Sequence, residues 1–346
     1  MDDATPGGIS AGGPAPGPVV VITGASSGIG RCTALLFAEH GWKVGLIARG
    51  EAGLRSIESE LPVGRAAFAV ADVAQSAALE AAAASIEAAL GPIDAWINCA
   101  GNGVFSRFLG VPEAEFTRVT DVTYMGTVNG TRVALARMLP RDAGSVVNIC
   151  SAIAFHGLPM LSSYSGAKSA VKGFTESVGH ELAEEASRVH LGIVYPPAVN
   201  TPFFSHAGSH MHRPPRPARP VYQPEIVARA ILHTVLTRRA EMKVSGTTTL
   251  FALACRLVPR LVHRAIQRLG SAGQMTTDPA AALLRETTLF APSLSPGRTH
   301  GPFGRGARRS SLQVWAQISV ARLFGRQAAA PEATPAEKAL EAVLVK

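Results

Sequence analysis

Val19-Val20-Val21-Ile22-Thr23-Gly24-Ala25-Ser26-Ser27-Gly28-Ile29-Gly30 is the stretch that decides the fold. Four consecutive β-branched residues mark a strand buried on both faces, as in a parallel sheet covered by helices on either side. The run passes straight into a glycine-rich turn, and residues 31–40 then read as a helix. Glycines permit a tight turn and the close approach of a second backbone, and the amides at the start of the next helix suit a pyrophosphate. The spacing Gly-x-x-x-Gly-x-Gly differs from the commoner Gly-x-Gly-x-x-Gly fingerprint. Its weight comes from its position between a strand and a helix.

Further strand patterns follow at residues 43–48, 66–70, 93–98, 145–150 and 189–195. Helical patterns separate them at 51–61, 76–90, 112–122, 124–139 and 164–186. Strands alternating with helices at this rhythm predict an α/β fold, a doubly wound parallel sheet of Rossmann type. The second strand ends in Ala48-Arg49, where NAD enzymes of this architecture carry an acid for the ribose 2′-hydroxyl. Arg49 suits a 2′-phosphate, so NADP(H) is expected over NAD(H), a solvated turn arginine being the other reading. Asp72-Val73 ends the third strand, where ligands of open parallel sheets bind. Asp72 either accepts from an adenine amino group or caps the helix at 76–90, and both roles are compatible. Asn98-Cys99-Ala100-Gly101 closes the fourth strand with residues small enough for a ribose to lie against the backbone.

Ser163-Tyr164-Ser165-Gly166-Ala167-Lys168 sets a phenol and an ammonium four residues apart, on one face of a helix. A cation within ~4–6 Å lowers a tyrosine pKa by roughly 1–3 units from about 10, so Lys168 is expected to make Tyr164 a proton donor and acceptor near neutrality. Ser151, at the end of the fifth strand, is a neutral hydroxyl placed to hold the oxygen that Tyr164 protonates.

In these motifs the chain resembles the short-chain dehydrogenase/reductase family, of the compact single-domain type. Thr23–Gly30, Asn98–Gly101, Ser151, Tyr164 and Lys168 match its motifs in order. Pro196-Pro197-Ala198-Val199-Asn200-Thr201 corresponds to its Pro-Gly-x-Val-x-Thr element, with Pro197 in place of glycine. The resemblance covers roughly residues 18–245 and implies a seven-stranded sheet, with residues 241–245 as its last strand. It implies a catalytic set of Ser151, Tyr164 and Lys168. The implied cofactor contacts are Thr23, Gly24, Ser26, Ser27, Gly28, Ile29 and Gly30 from the turn, and Arg49, Asp72 and Val73. Asn98, Ala100, Gly101, Tyr164 and Lys168 belong to the same set, as do Pro196, Val199 and Thr201. Thr123 stands where the family usually has an asparagine holding a water behind the lysine. That substitution is expected to weaken proton relay without abolishing it.

The implied reaction is hydride transfer between a nicotinamide and a carbonyl or alcohol carbon. Val104, Phe105, Phe155, Leu158, Met160, Leu161, Phe203 and Phe204 are candidate substrate contacts, with no charged residue among them, so an apolar small molecule fits best. The alternative is a catalytically weak dinucleotide-binding scaffold or sensor tethered through its basic C-terminal region. His206, His210 and His212 have loosely metal-like spacing in a Pro, Ser and Gly context, and no metal is assigned. His156 is read as structural in preference to substrate-binding.

A chain of 346 residues with 47% hydrophobic and 17% charged residues fills a sizeable core. No apolar run reaches the ~18–20 residues of a membrane span, and the acidic start Met1-Asp2-Asp3 is unlike a secretory signal. A cytoplasmic, homo-oligomeric protein is expected, with four free, reduced cysteines. Residues 1–17 read as a disordered leader, 18–246 as the catalytic domain, 247–326 as a helical and irregular C-terminal extension, and 327–346 as a flexible tail. The net charge of +8 belongs to the extension: residues 211–326 hold 18 Lys and Arg against 4 Asp and Glu. Residues 250–269 set Arg256, Arg260, Arg264 and Arg268 four apart, beside Leu253, Leu257, Leu261 and Ile266, with a kink at Pro259. Such a helix packs on the domain or on a second subunit, or lies in a membrane interface, and packing is the preferred expectation. Residues 291–311 read as an extended tail, and 311–324 as a short amphipathic helix. Without a recognised module, nucleic acid is not expected.

Overall fold

The computed structural model describes residues 17–311 together with 313, 314 and 316. The leader before residue 17, the tail at 327–346 and nearly all of the helix expected at 311–324 lie outside the described residues.

Seven strands form one parallel sheet: β1 (Val19–Thr23), β2 (Lys43–Ala48), β3 (Ala66–Val70), β4 (Ile93–Asn98), β6 (Ser145–Ile149), β7 (His190–Tyr195) and β9 (Glu241–Lys243). Their order is β3-β2-β1-β4-β6-β7-β9. A two-residue parallel pair, β5 (Val104–Phe105) with β8 (Gly208–Ser209), stands apart from it. Because the chain winds outward from β1 to β3 and then returns to lay β4 on the other side of β1, the carboxyl ends of β1 and β4 open a crevice between them. In such sheets ligands bind there.

Helices α1 (Gly28–Glu39) and α2 (Glu51–Glu58) cover one face, and α3 (Ser76–Leu90), α4 (Glu113–Thr120) and α5 (Gly126–Met138) belong to the other side. Alternation along β1 serves both cores. Val20 and Ile22 pack with Phe37, Trp42 and, from α8 (Pro224–Thr237), Ile231; Val19 and Val21 pack with Leu79, Ile86 and Trp96. A π-helical turn, Asp121–Met125, joins α4 to α5 at the position of Thr123. Such insertions are frequent at functional sites. The long helix α6 (Ser162–Glu184) follows β6, and the single turn α7 (Phe203–His206) precedes β8.

Beyond β9 the chain forms a helical hairpin, α9 (Gly246–Leu257) and α10 (Pro259–Leu269), and a short α11 (Pro279–Leu283). The single kinked helix expected at 250–269 is two helices broken at Val258, because Pro259 takes the first position of α10, where its missing N–H costs nothing. The apolar side of that hairpin is also not buried as expected: Leu253, Leu257 and Leu261 are exposed.

Residues 286–308 are not a free tail. They run as an extended strap across the crevice, tied down at intervals. The Glu286 and Thr288 amides donate to the Ser205 and His206 carbonyls at 3.1 and 3.0 Å, and the Gly28 amide donates to the Arg298 carbonyl at 2.9 Å. The Phe303 amide donates to Asn200 Oδ1 at 2.9 Å, and the Arg308 amide to the Val221 carbonyl at 2.8 Å.

Candidate active site

The glycine turn is shaped by close approach. Gly24 has φ +69°, and a Cβ on it would stand 2.8 Å from the Ala100 Cα. Gly28 has φ +56°, and its missing Cβ lets Thr201 come against the start of α1. Both positions combine a left-handed backbone with a second segment at contact, which no other residue satisfies without strain.

The turn forms one end of a cavity of about 660 Å³. Gly24, Ser26, Ser27, Gly28, Ile29 and Gly30 line it, joined from the other strand ends by Arg49, Asp72, Val73, Ala100 and Gly101. Pro196, Val199 and Thr201 close the β7 side, and Ser151, Tyr164 and Lys168 form the other end. Among the substrate candidates, Phe105, Leu158, Leu161, Phe203 and Phe204 line the cavity.

Other candidates lie elsewhere. Val104 and Met160 are buried, and Phe155 stacks on Tyr195 with ring centroids 4.6 Å apart. His156 packs against His263, and His210 pairs with Glu115 at 2.8 Å, while His206 reaches the cavity wall. Among the described residues no group of three His, Cys, Asp or Glu side chains is arranged to hold a metal.

Thr23 and Asn98 shape the site from behind rather than facing it. Thr23 Oγ1 accepts from the Cys99 and Ala100 amides at 3.1 and 3.2 Å, stitching β1 to the end of β4. Asn98 sits in a buried network: its Oδ1 accepts from Trp96 Nε1 at 2.7 Å, and its Nδ2 donates to Thr131 Oγ1 at 3.1 Å and Asn148 Oδ1 at 2.8 Å. Asn98→Ala is therefore expected to lower stability by about 1–3 kcal/mol, the cost of leaving a buried partner unpaired. A lowered urea midpoint with unchanged dinucleotide affinity checks this assignment.

On α6, Tyr164 and Lys168 share a face, but the expected acidification of the phenol is absent. Burial dominates and pushes the Tyr164 hydroxyl above its ordinary range, while a hydrogen bond with Ser151 pulls the other way. Lys168 is buried too, which pushes its amine down, and its Nζ donates to the Ile149 carbonyl at 2.6 Å. It stands 5.9 Å from the centre of the Tyr164 ring. The ammonium thus spends its charge on a β6 carbonyl, and the phenol is held in its neutral, proton-carrying form. Burial also raises the Cys99 and Cys150 thiols, to about 12 and about 11, so neither is a thiolate at neutral pH.

Thr123 does not reach the cavity. It is fully buried, its Oγ1 donating to the Asn102 carbonyl at 3.1 Å and accepting from the Asn102 amide at 3.2 Å. The Asn102 side chain, which sequence reasoning missed, lines the cavity with both polar atoms buried and without a protein partner. Such a group costs about 1–3 kcal/mol if left unmet, so it points to a polar ligand or water.

At the dinucleotide end the strap meets the two charged candidates. Arg49 donates to the Leu289 and Phe290 carbonyls at 3.2 and 3.1 Å and also to that of Thr288. Asp72 is paired with Arg118, and its Oδ1 accepts from the Ala74 amide at 3.0 Å, a turn preceding α3 rather than a cap on it. Burial, with Arg118 nearby, lowers the Arg49 pKa. The strap contributes Thr288, Pro292, Ser293, Ser295, Gly297 and Arg298 to the cavity wall. Arg216, Phe251 and Gln274, none singled out in the sequence, line it as well.

The model for "short chain dehydrogenase" matches residues 18–212, more than half of the chain. The chain belongs to the short-chain dehydrogenase family. Among relatives of this dehydrogenase is the uncharacterized oxidoreductase YxnA of Bacillus subtilis (strain 168), 34% identical over 72% of each chain. The 3-ketodihydrosphingosine reductase of Bos taurus is 29% identical, covering 70% of this chain and 76% of its own. A variant of actinorhodin polyketide ketoreductase solved with NADPH is 26% identical, with a TM-score of 0.59 over 67% of this dehydrogenase and 97% of that structure. A Burkholderia phymatum relative solved with NAD superposes with a TM-score of 0.63 at 23% identity, covering 73% and 95% of the two chains, and bears on the fold alone. Membership makes this chain an oxidoreductase of the class that couples a nicotinamide dinucleotide to carbonyl and alcohol chemistry.

Proposed function

We propose that this dehydrogenase is NADP(H)-dependent and interconverts a carbonyl and an alcohol on a largely apolar small molecule, with Tyr164 as its acid and base. The observation that carries this reading is the shared cavity: Ser151 and Tyr164 line one end of it and the glycine turn the other.

The residues present fit a dinucleotide. Glycine at 24 and 28 lets the turn close against Ala100 and Thr201 at the cavity edge, and Asn102 beside it holds two buried polar atoms without a protein partner. Gly24–Gly30 would hold the pyrophosphate once the Gly28 amide exchanges the Arg298 carbonyl for it. Ser26, Ser27 and Arg49 would hold a 2′-phosphate once Arg49 leaves the strap carbonyls, and Val199 and Thr201 would meet the nicotinamide. When bound, the cofactor supplies or accepts the hydride.

The chain's own groups handle the oxygen and the proton. In reduction Ser151 donates a hydrogen bond to the carbonyl oxygen, and Tyr164 gives its proton as negative charge develops there. In oxidation the phenolate takes the proton back. Lys168 anchors the face of α6 to β6 and keeps positive charge beneath the site. The aromatic wall of Phe105, Phe203 and Phe204 excludes water and favours an apolar substrate body, in keeping with the ketone and lipid named for the bovine relative. Arg216 and Arg219 place two cations in the cavity lining, suited to an anionic or strongly polar end on the substrate.

Support for NADP(H) comes from Ala48-Arg49, which leaves no acid at the end of β2 to receive a 2′-hydroxyl. Oxidation of NADPH against a panel of hydrophobic ketones, with NADH in parallel, tests the reading. Turnover is expected with a preference for NADPH of at least about tenfold in kcat/KM, roughly 1.4 kcal/mol. A preference for NADH would reverse the cofactor assignment.

A further inference from the structure

The hairpin of α9 and α10 has one side in the active site and another that nothing covers. Thr247, Thr248 and Phe251 of α9 line the cavity. On the outer side, Leu250, Leu253, Leu257, Val258, Leu261 and Leu269 are 66, 49, 67, 43, 61 and 70% exposed. These six, within twenty residues, make the densest group of exposed large apolar side chains among the described residues. Val262 is the one buried residue of α10 and Thr248 that of α9.

The charge of the hairpin's own residues has one sign. Arg256, Arg260, Arg264 and Arg268 lie on it, and no acidic residue stands between Glu241 and Asp278. On α10, Leu261, Arg264 and Arg268 fall three and seven residues apart and share a face, so leucines and guanidinium groups alternate across one patch. A solvated charged face would not carry six bare apolar side chains. A groove for nucleic acid would not set leucines among its cations. Leucines that enter an acyl layer while arginines reach up to phosphates is the arrangement of a helix lying in a lipid interface. No helix among the described residues is long and apolar enough to cross a membrane.

We propose that the α9–α10 hairpin docks on an anionic lipid surface, inserting Leu250, Leu253, Leu257 and Leu261 between headgroups with Arg260, Arg264 and Arg268 on the phosphates. The cavity wall and the docking face belong to the same helix, so docking sets the cavity beside the bilayer and gives an apolar substrate a path that avoids water. Binding itself is independent of the proposed chemistry.

Co-sedimentation of the full chain with phospholipid vesicles tests this. Vesicles of equal parts phosphatidylcholine and phosphatidylglycerol are expected to carry the protein down, and phosphatidylcholine alone at least tenfold less. The triple variant Leu253→Ser, Leu257→Ser, Leu261→Ser should weaken binding at least tenfold, as should Arg260→Gln, Arg264→Gln, Arg268→Gln. None of these residues lines the cavity, so turnover of a water-soluble ketone should be unchanged. Tyr164→Phe should bind vesicles as wild type does, which separates failure of docking from failure of the catalytic reading. The proposal is overturned if the wild type stays in the supernatant, or if the leucine variant binds as well as wild type. It is equally overturned if sedimentation velocity shows a dimer that the leucine variant alone dissociates, since a second copy would then be the occupant.

Discussion

Tyr164→Phe is expected to lower kcat by about 10²–10⁴-fold, the range general acid–base catalysis supplies. The change removes one oxygen from a side chain whose ring stays held by Phe203, at a centroid distance of 5.3 Å. NADPH affinity should therefore stay within a few-fold of wild type. The direction of the Tyr164 shift adds a pH signature. Burial raises the phenol, so its proton is retained through neutral pH and reduction should hold level into the alkaline range. Oxidation needs the phenolate and should rise with pH over the same interval. An ammonium-acidified tyrosine would give the opposite: reduction failing near neutrality. Steady-state kinetics in both directions across pH distinguish the two.

Gly297→Ala is the second change with a large expected effect. A Cβ at this position would overlap the Ser26 carbonyl oxygen, a backbone atom of the glycine turn that cannot swing aside. The strap must then lift, taking with it the Arg298 carbonyl that receives the Gly28 amide and loosening the carbonyls that hold Arg49. Lifting the strap frees the Gly28 amide and Arg49, the groups assigned to the pyrophosphate and the 2′-phosphate, so dinucleotide affinity is expected to rise about 10–100-fold, roughly 1.4–2.8 kcal/mol. Gly301→Ala, where a Cβ would stand 2.5 Å from the Thr201 carbonyl oxygen, should act in the same direction. Fluorescence titration with NADPH reads both. Weaker binding in either variant would mean that the strap retains the cofactor instead of competing with it.

What was legible in the sequence is what depends on neighbours along the chain. The β-branched run at Val19–Ile22 and the turn after it specify a buried parallel strand entering a helix, and the structure has that arrangement. Tyr164 and Lys168 share a face because four residues make about one turn, a local fact. Their electrostatics are not local. The pKa direction follows from burial and from the Ile149 carbonyl, which comes from another element. Arg49 reads as a free cation in sequence, yet its partners lie about 240 residues away along the chain. Asn98 falls in a motif whose backbone borders the cavity, while its side chain, alternating along β4, turns into the core. Arg216, Phe251 and Gln274 carried no motif at all and reach the cavity only through the path of the extension. The leucines of α9 and α10 were legible as an amphipathic pattern. Whether anything covered them was a tertiary question.

The most direct measurement is a crystal structure of the protein soaked with NADPH. The dinucleotide should run along the glycine turn from the Arg49 end to the Ser151 end, taking the Gly28 amide from the Arg298 carbonyl, with the Tyr164 hydroxyl in the cavity beside Ser151. Density for the dinucleotide outside the strap, or a Tyr164 side chain swung away with another residue in its place, would contradict the assignment of this cavity and of its acid.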